Sequence, residues 1–386
     1  MENENLVYRA LQQHLDKSPV GFPATPSGID ITLLQKLFTP PEAQIAAHLS
    51  TIKLETPKTI RRRLKKSGIK MTLNELKQTL DIMARKGIIM VYSAGLKERH
   101  YKNAGVTAGG IVDFQVNRLT RDLVDTFHRY HVEVFARAEM TGARSVPQLR
   151  TIPVEKSIPT PEKHSVATYD DVRRLLENSP GPFSVANCIC RQTKDIQGQP
   201  CVYSDIRETC LQIGTDHAQH YVEMGIARYV SQEEAFEILE RARQAGFILQ
   251  PENSQRPENI CCCCGDCCGL LSAVKKSPRP AAMYASNYFV AVDTSLCKGC
   301  GACVKRCQLE ARAIADGVSV VNLDRCIGCG NCVITCESGA TRLVKKPLAL
   351  VPPKDKDATF MKIMSGKVGK WNMLKLRLKI LLGMRV

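Results

Sequence analysis

Eight cysteines toward the C-terminal end fall into two runs, Cys297-Lys-Gly-Cys300-Gly-Ala-Cys303-Val-Lys-Arg-Cys307 and Cys326-Ile-Gly-Cys329-Gly-Asn-Cys332-Val-Ile-Thr-Cys336. Each cysteine of the first recurs 29 positions later, so the segment is an internal duplication with two equivalent sites. The spacing C-x2-C-x2-C-x3-C lets three thiolates wrap one iron–sulfur cube while the fourth reaches the neighbouring cube. On that chemistry Cys297, Cys300, Cys303 and Cys336 hold one [4Fe–4S] cluster, and Cys326, Cys329, Cys332 and Cys307 hold the other. Gly299, Gly301, Gly328 and Gly330 let backbone N–H groups approach the cluster sulfurs. Zinc also accepts thiolates, but zinc modules separate two C-x2-C pairs by a longer loop instead of packing three cysteines into seven residues.

The other ten cysteines lie upstream: Cys188, Cys190, Cys201, Cys210 and the stretch Cys261-Cys-Cys-Cys264-Gly-Asp-Cys267-Cys268. Adjacent cysteines cannot all face one ion, and Cys261, Cys264 and Cys267 reproduce the C-x2-C-x2-C run. A third centre is therefore expected from among Cys188, Cys190, Cys201, Cys210, Cys261, Cys264 and Cys267, iron–sulfur in preference to zinc. Redox-active thiols and inert buried cysteines are the alternatives. Arg191, beside Cys190, favours thiolates over inert thiols. His217 and His220 read as exposed side chains on a helix. No catalytic residue is assigned, which suits an electron carrier or an oxidoreductase subunit better than an enzyme with its own substrate site.

The surrounding elements are legible from caps and periodicity. Residues 30–50 carry apolar positions at helical spacing. Thr56-Pro57 opens a basic helix through Arg61-Arg-Arg-Leu-Lys-Lys66 that Gly68 ends, and Thr72-Leu-Asn-Glu75 is a capping box for a third helix stopped by Gly87. Ile88–Tyr92, a turn at Ala94-Gly95 and Glu98–Tyr101 read as a hairpin, so this region reads as a winged helix. One long helix is expected from Phe114 to Met140, an extended Thr151–Ile158, and a linker around Pro159–Pro161. Beyond it, helices at Tyr169–Leu176 and Ser231–Ala245 flank a strand from Phe183, with Cys201 at a loop's end and Cys210 at a helix start. The expected architecture is α+β and multidomain. It comprises an N-terminal arm (1–29), a winged-helix-like domain (30–103), a long helix and linker (104–161) and a mainly α cysteine-rich middle domain (162–286). A two-cluster ferredoxin module (287–346) and a basic amphipathic tail (347–386) complete it.

The chain has 386 residues, 18 cysteines and a formal net charge of +16. It is too long for a disulfide-rich secreted module, and its first residues lack the basic segment and apolar core of a signal peptide, so a reducing cytoplasm is expected. No window has the apolar length of a membrane span. The basicity is local: residues 51–103 carry 14 Lys/Arg against 4 Asp/Glu, and residues 345–386 carry 11 against 2. The first patch raises DNA binding as an alternative, a redox-responsive regulator, although the basic run precedes the helix that would enter the major groove. In the tail, Met364, Val368, Trp371, Leu374, Leu378, Leu381 and Leu382 share a helical face opposite lysines and arginines. This suits peripheral contact with the inner face of a membrane, docking of a partner, or folding back onto the body.

The duplicated runs and their flanking segments resemble bacterial-type two-cluster ferredoxins, except that Gln308 and Glu337 stand where that family usually has proline. A wider resemblance rests on Leu15-Asp16 with Pro19–Pro23, Leu37–Ala43, the Cys188–Arg191 turn, the Ser231–Gly246 helix and the Ile260–Gly269 cluster. These are similar to 4Fe-4S dicluster proteins of anaerobic bacteria and archaea with a winged-helix-like head and a cysteine-rich middle. The resemblance implies electron transfer between redox partner proteins, as a carrier or an accessory subunit of a larger system.

Overall fold

The computed structural model describes residues 2–93, 95–106, 109–135, 146–158 and 167–381. The chain divides into two compact units that interleave in sequence: 1–135, 215–228 and 360–386 form one, and 136–214 with 229–359 form the other.

In the first unit, residues read as an arm form a helix, Glu2–Leu15, that buries Tyr8, Leu11 and Leu15. Helices Ile29–Leu37 and Pro40–Ala46 follow. Thr56 accepts from the Thr59 N–H and, with Pro57 behind it, starts helix Pro57–Lys66. Thr72 and Glu75 close the capping box of helix Leu73–Arg85, whose Leu76, Leu80 and Met83 are fully buried. Strands β1 (Ile89–Tyr92) and β2 (His100–Asn103) then pair antiparallel, Val91 opposite Tyr101; of the turn between them, Ala94 lies outside the described residues.

The single long helix expected from Phe114 is broken. A 3-10 turn covers Asp113–Gln115, Asn117 takes φ 62°, and Thr120 caps a new helix, Arg121–Tyr130, by accepting from the Leu123 N–H. A π turn, His131–Phe135, follows, and the remainder to Met140 is outside the described residues, as is the Pro159–Pro161 linker. Helix Thr215–Glu223 corrects a second expectation. His217 and His220 are buried rather than exposed, ringed by Tyr221, Phe114 and Tyr92. The tail helix, Lys356–Leu381, is interrupted at Gly369 (φ 77°, ψ 164°), so one continuous amphipathic face does not form. Ile363, Met364 and Met373 are buried, and Lys367 donates to the Ser18 carbonyl at 3.2 Å. The side chains of Trp371, Leu374, Leu381 and Leu382 are outside the described residues. No helix among the described residues is long and apolar enough to cross a membrane.

The second unit adds to its helices a sheet that the expectation of a mainly α cysteine-rich part did not include. It is built on a five-stranded sheet of β3 (Phe183–Asn187), β4 (Glu208–Ile213), β5 (Ala227–Val230), β6 (Ile248–Pro251) and β7 (Asn259–Cys263), ordered β5-β3-β4-β7-β6. Apolar alternation on short strands is easily read as loop or helix when cysteines occupy the inward positions. One sheet face packs Phe183, Val185, Leu211, Leu249 and Ile260 against Ala235, Ile238 and Leu239 of helix Gln232–Gln244. The duplicated segment follows. β8 (Tyr288–Val292) leads into the first cysteine run, which passes to β9 (Arg312–Ala315), while β10 (Val318–Val321) leads into the second run and on to β11 (Thr341–Lys345). β9 pairs with β10, and β11 with β8, so the strand leaving each run lies against the strand entering the other.

Candidate metal centres

That strand exchange brings residues of the two runs together in a crossed pattern. The Cys307 thiol is raised by burial and then by the nearby charge of Cys326. Cys329 is pushed up to about 12, chiefly by burial, with Cys307 and Cys326 adding to it. Cys332 is also raised by burial, and its neighbours include Cys329, Cys307 and Cys326. Cys307 therefore stands among the thiols of the other run. Cys336 accepts from the Thr341 N–H at 3.4 Å, and Cys297 from the Ser319 N–H at 3.2 Å. The Ser319 hydroxyl contacts Cys303 Sγ at 3.1 Å. Arg312, 6 % exposed, ties these together by donating to Ser319 Oγ at 2.9 Å and Thr341 Oγ1 at 3.1 Å. Burial works against the Cys303 thiolate, but Ser319 and Arg312 outweigh it and hold its pKa below the ordinary thiol value. Cys300 is exposed.

Two features of this segment suit an iron–sulfur group. Gly299 and Gly328, equivalent in the repeat, take φ 63° and 66°, and a Cβ there would lie 2.3 Å from the Gly317 carbonyl oxygen and 2.1 Å from that of Tyr288. Only glycine lets the loops close so tightly over the thiols. Second, Nε and one terminal nitrogen of the buried Arg312 have no acceptor among the described residues. A buried guanidinium cannot leave donors unmet without cost, and anionic sulfide within reach would meet them.

The ten upstream cysteines are sorted by the alternation of β7. Cys262 and Cys264 turn into the core with Phe247, Leu249 and Ile260, whereas Cys261 and Cys263 turn the other way, toward Leu271 and Tyr284. Cys261, Cys264 and Cys267 thus do not converge as their sequence spacing suggested. On the Cys261 side, thiol hydrogen bonds run in series from Cys210 to Cys261, Cys263, Cys268, Cys190 and Cys188. Contacts from Cys210 and Cys263 lower Cys261, and contacts from Cys190 and Cys263 hold Cys268 down to about 5. Cys210 sits on β4, not at a helix start, and accepts from Gln212 Nε2 at 3.0 Å. On the other side Cys201, Cys264, Cys267 and Asp266 bring one ligand atom each to within 4.8 Å of one another. Cys263, Cys268 and Asp266 were absent from the sequence-derived ligand set. A period-two reading of residues 259–264 would have separated the two faces.

Gln308 and its surroundings join the duplicated segment to the sheet. Gln308 Nε2 donates to the Gly246 carbonyl and its Oε1 accepts from the Gly265 N–H, both at 2.6 Å. Asn331 Nδ2 also reaches the Gly246 carbonyl, and Arg306 donates to the Arg243 and Gln244 carbonyls at 2.8 and 2.9 Å. Helix Gln232–Gln244 thus has its C-terminal carbonyls capped from the cysteine runs. Cys307 and Cys329 border the same apolar cluster as Cys261, Cys263 and Cys268.

Residues 289–337 match the family model of the 4Fe-4S dicluster domain. No curated protein and no solved structure matches the chain. The C-terminal part of the chain is thus an iron–sulfur domain of the kind that transfers electrons.

Proposed function

We propose that this chain passes single electrons through two [4Fe–4S] clusters, as a ferredoxin-like carrier or as an accessory subunit of an anaerobic redox system. Cys297, Cys300, Cys303 and Cys336 hold one cluster, and Cys326, Cys329, Cys332 and Cys307 the other. The observation that carries the proposal is the placement of Cys307 among the thiols of the second run while Ser319, Arg312 and Thr341 gather Cys297, Cys303 and Cys336. When bound, such clusters supply reversible one-electron chemistry at low potential. The protein's residues fix the thiolates, aim N–H groups at sulfur and place the Arg312 charge beside it. Exposure of Cys300 supports the first run as the face that a redox partner protein meets. The thiol series from Cys188 to Cys268, half-buried except at the buried Cys263 and Cys268, supports a third iron–sulfur centre, adjoining Cys307 and Cys329. Iron and acid-labile sulfide on anaerobically purified protein, with EPR after dithionite, test this. About eight irons correspond to two cubes and about twelve to three; little iron of any kind overturns the proposal.

A second proposal concerns residues 30–103. Helices leading into a hairpin, with Asn74 and Gln78 exposed on the last of them, Leu73–Arg85, favour a winged helix that binds DNA in response to cluster state. Part of its basic run is already engaged, since Arg63 pairs with Glu55 and Arg61 donates to the Met71 carbonyl at 2.9 Å. Duplex DNA retained at low salt and released steeply at moderate salt supports this reading, and no retention removes it.

A further inference from the structure

We propose that Cys201, Cys264, Cys267 and Asp266 form a mononuclear site for one tetrahedral divalent ion, zinc by preference, separate from every iron–sulfur centre. Cys201 Sγ lies 3.6 Å from Cys264 Sγ and 3.6 Å from Asp266 Oδ1. Two thiolates bound to one zinc ion at 2.3 Å in tetrahedral geometry are about 3.8 Å apart, so the side chains already stand near ligand spacing. A four-iron cube needs its thiolates on separate corners, and four ligand atoms within 4.8 Å leave no room for one between them. The chain supplies the set in the manner of a metal knuckle. Cys264-Gly-Asp-Cys267 is a tight C-x2-C turn, and Cys201 comes from the loop after helix Ile189–Ile196. The Val202 N–H donates to Asp266 Oδ2 at 2.9 Å and the Cys267 N–H to Oδ1 at 2.9 Å, which orients the carboxylate before any ion arrives.

A second observation points the same way. Arg191 is wholly buried, its guanidinium 4.2 Å from the Phe247 ring centroid, and it donates to the Cys262 carbonyl at 3.2 Å, to Cys264 Sγ at 3.7 Å and to Thr209 Oγ1. A buried cation requires compensating negative charge. Three thiolates and a carboxylate around a divalent ion keep a net charge of minus two, which the guanidinium halves. Gly265 fixes the turn's position, because a Cβ there would fall 2.6 Å from the Gln308 carbonyl oxygen.

The test uses the full chain, purified anaerobically, with zinc, iron and sulfide measured per chain. The expected result is about one zinc, or one iron without accompanying sulfide, beyond the cluster iron. Cys201→Ser, at the half-buried ligand, and Asp266→Asn should each lose that ion to a chelator at least tenfold faster, with cluster iron and sulfide unchanged. Cobalt added to the chelator-treated protein should give thiolate charge-transfer and tetrahedral bands that Cys201→Ser weakens. Absence of any non-cluster metal together with no cobalt bands overturns the proposal. So does loss of several irons with equal sulfide from Cys201→Ser, which would put a cluster there. Neither result bears on the eight cysteines of the duplicated runs, whose iron is counted separately.

Discussion

The two cysteine runs are near-copies in sequence and unlike in surroundings. The first lies at a polar edge, where Cys300 is exposed and Ser319 and Arg312 hold Cys303 toward the thiolate. The second lies in an apolar setting, where burial raises Cys329 and Cys332 along with Cys307, the last cysteine of the first run, and it adjoins the upstream thiols. Positions equivalent in the repeat have diverged to match. Gln308 is 3 % exposed and bridges Gly246 to Gly265, whereas its counterpart Glu337 is exposed. Duplication supplied two sites, and docking of one of them onto the sheet made them inequivalent. With the two proposed clusters bound, hydrogen bonds and positive charge at the sulfurs would favour the reduced state of the first, and burial would disfavour it in the second.

The largest expected effect tests whether each run borrows its fourth ligand from the other. Cys307→Ser should disturb the cluster of Cys326, Cys329 and Cys332, and Cys336→Ser that of Cys297, Cys300 and Cys303. Each variant should retain the other cluster, with iron falling toward half of the wild-type duplicated-segment content of about eight. EPR redox titration of each variant identifies the survivor by its potential. If Cys307→Ser removes the signal of the exposed, first-run cluster, ligation is not crossed.

Next in size is the inequivalence of Gln308 and Glu337. Gln308→Ala strips partners from the buried Gly265 N–H and weakens the satisfaction of the Gly246 carbonyl, which Asn331 still reaches. A loss of about 2–3 kcal/mol is expected from an unmet buried donor and a lost acceptor contact. Glu337→Ala, at a surface position, should stay within about 0.5 kcal/mol. Anaerobic denaturant titrations of the two variants measure the contrast, and equal midpoints would mean that Gln308 does not anchor the segment.

Much of this was legible in the sequence and some was not, for identifiable reasons. The duplicated runs, the Thr56 and Thr72 caps and the β1–β2 hairpin are local signals, carried by residues a few positions apart. The sheet around β7 was missed because its inward positions are cysteines, which spacing rules treat as ligands before periodicity is consulted. Its alternation divides Cys261 from Cys264, a separation that motif spacing cannot express. Gln308 was visible as a departure from the usual proline, but its partners lie 43 and 62 positions away. The break before Thr120 depends on Asn117 adopting a positive φ, which apolar periodicity through Phe114–Val134 obscures.

The smallest effect concerns Arg312, which makes the first run's surroundings electrostatically distinct. Its guanidinium donates to Ser319 and Thr341, the two residues that contact Cys303 and Cys336, and Nε and one terminal nitrogen have no nitrogen or oxygen acceptor among the described residues. Arg312→Gln keeps a polar amide on a shorter side chain while removing the charge. Loss of a charge-assisted interaction of about 1–2 kcal/mol corresponds to about 40–90 mV for a one-electron couple. The sign is fixed by charge. Reduction adds an electron beside the site, so removing a cation lowers the potential of the first-run cluster. Arg312 also acts on Cys307 and Cys332, but without a hydrogen bond to either, so the second cluster should move in the same direction by less. EPR-monitored titration of both clusters in Arg312→Gln resolves the two shifts. Equal displacement would show that Arg312 sets a field common to both clusters, and the difference between them would then rest on burial alone.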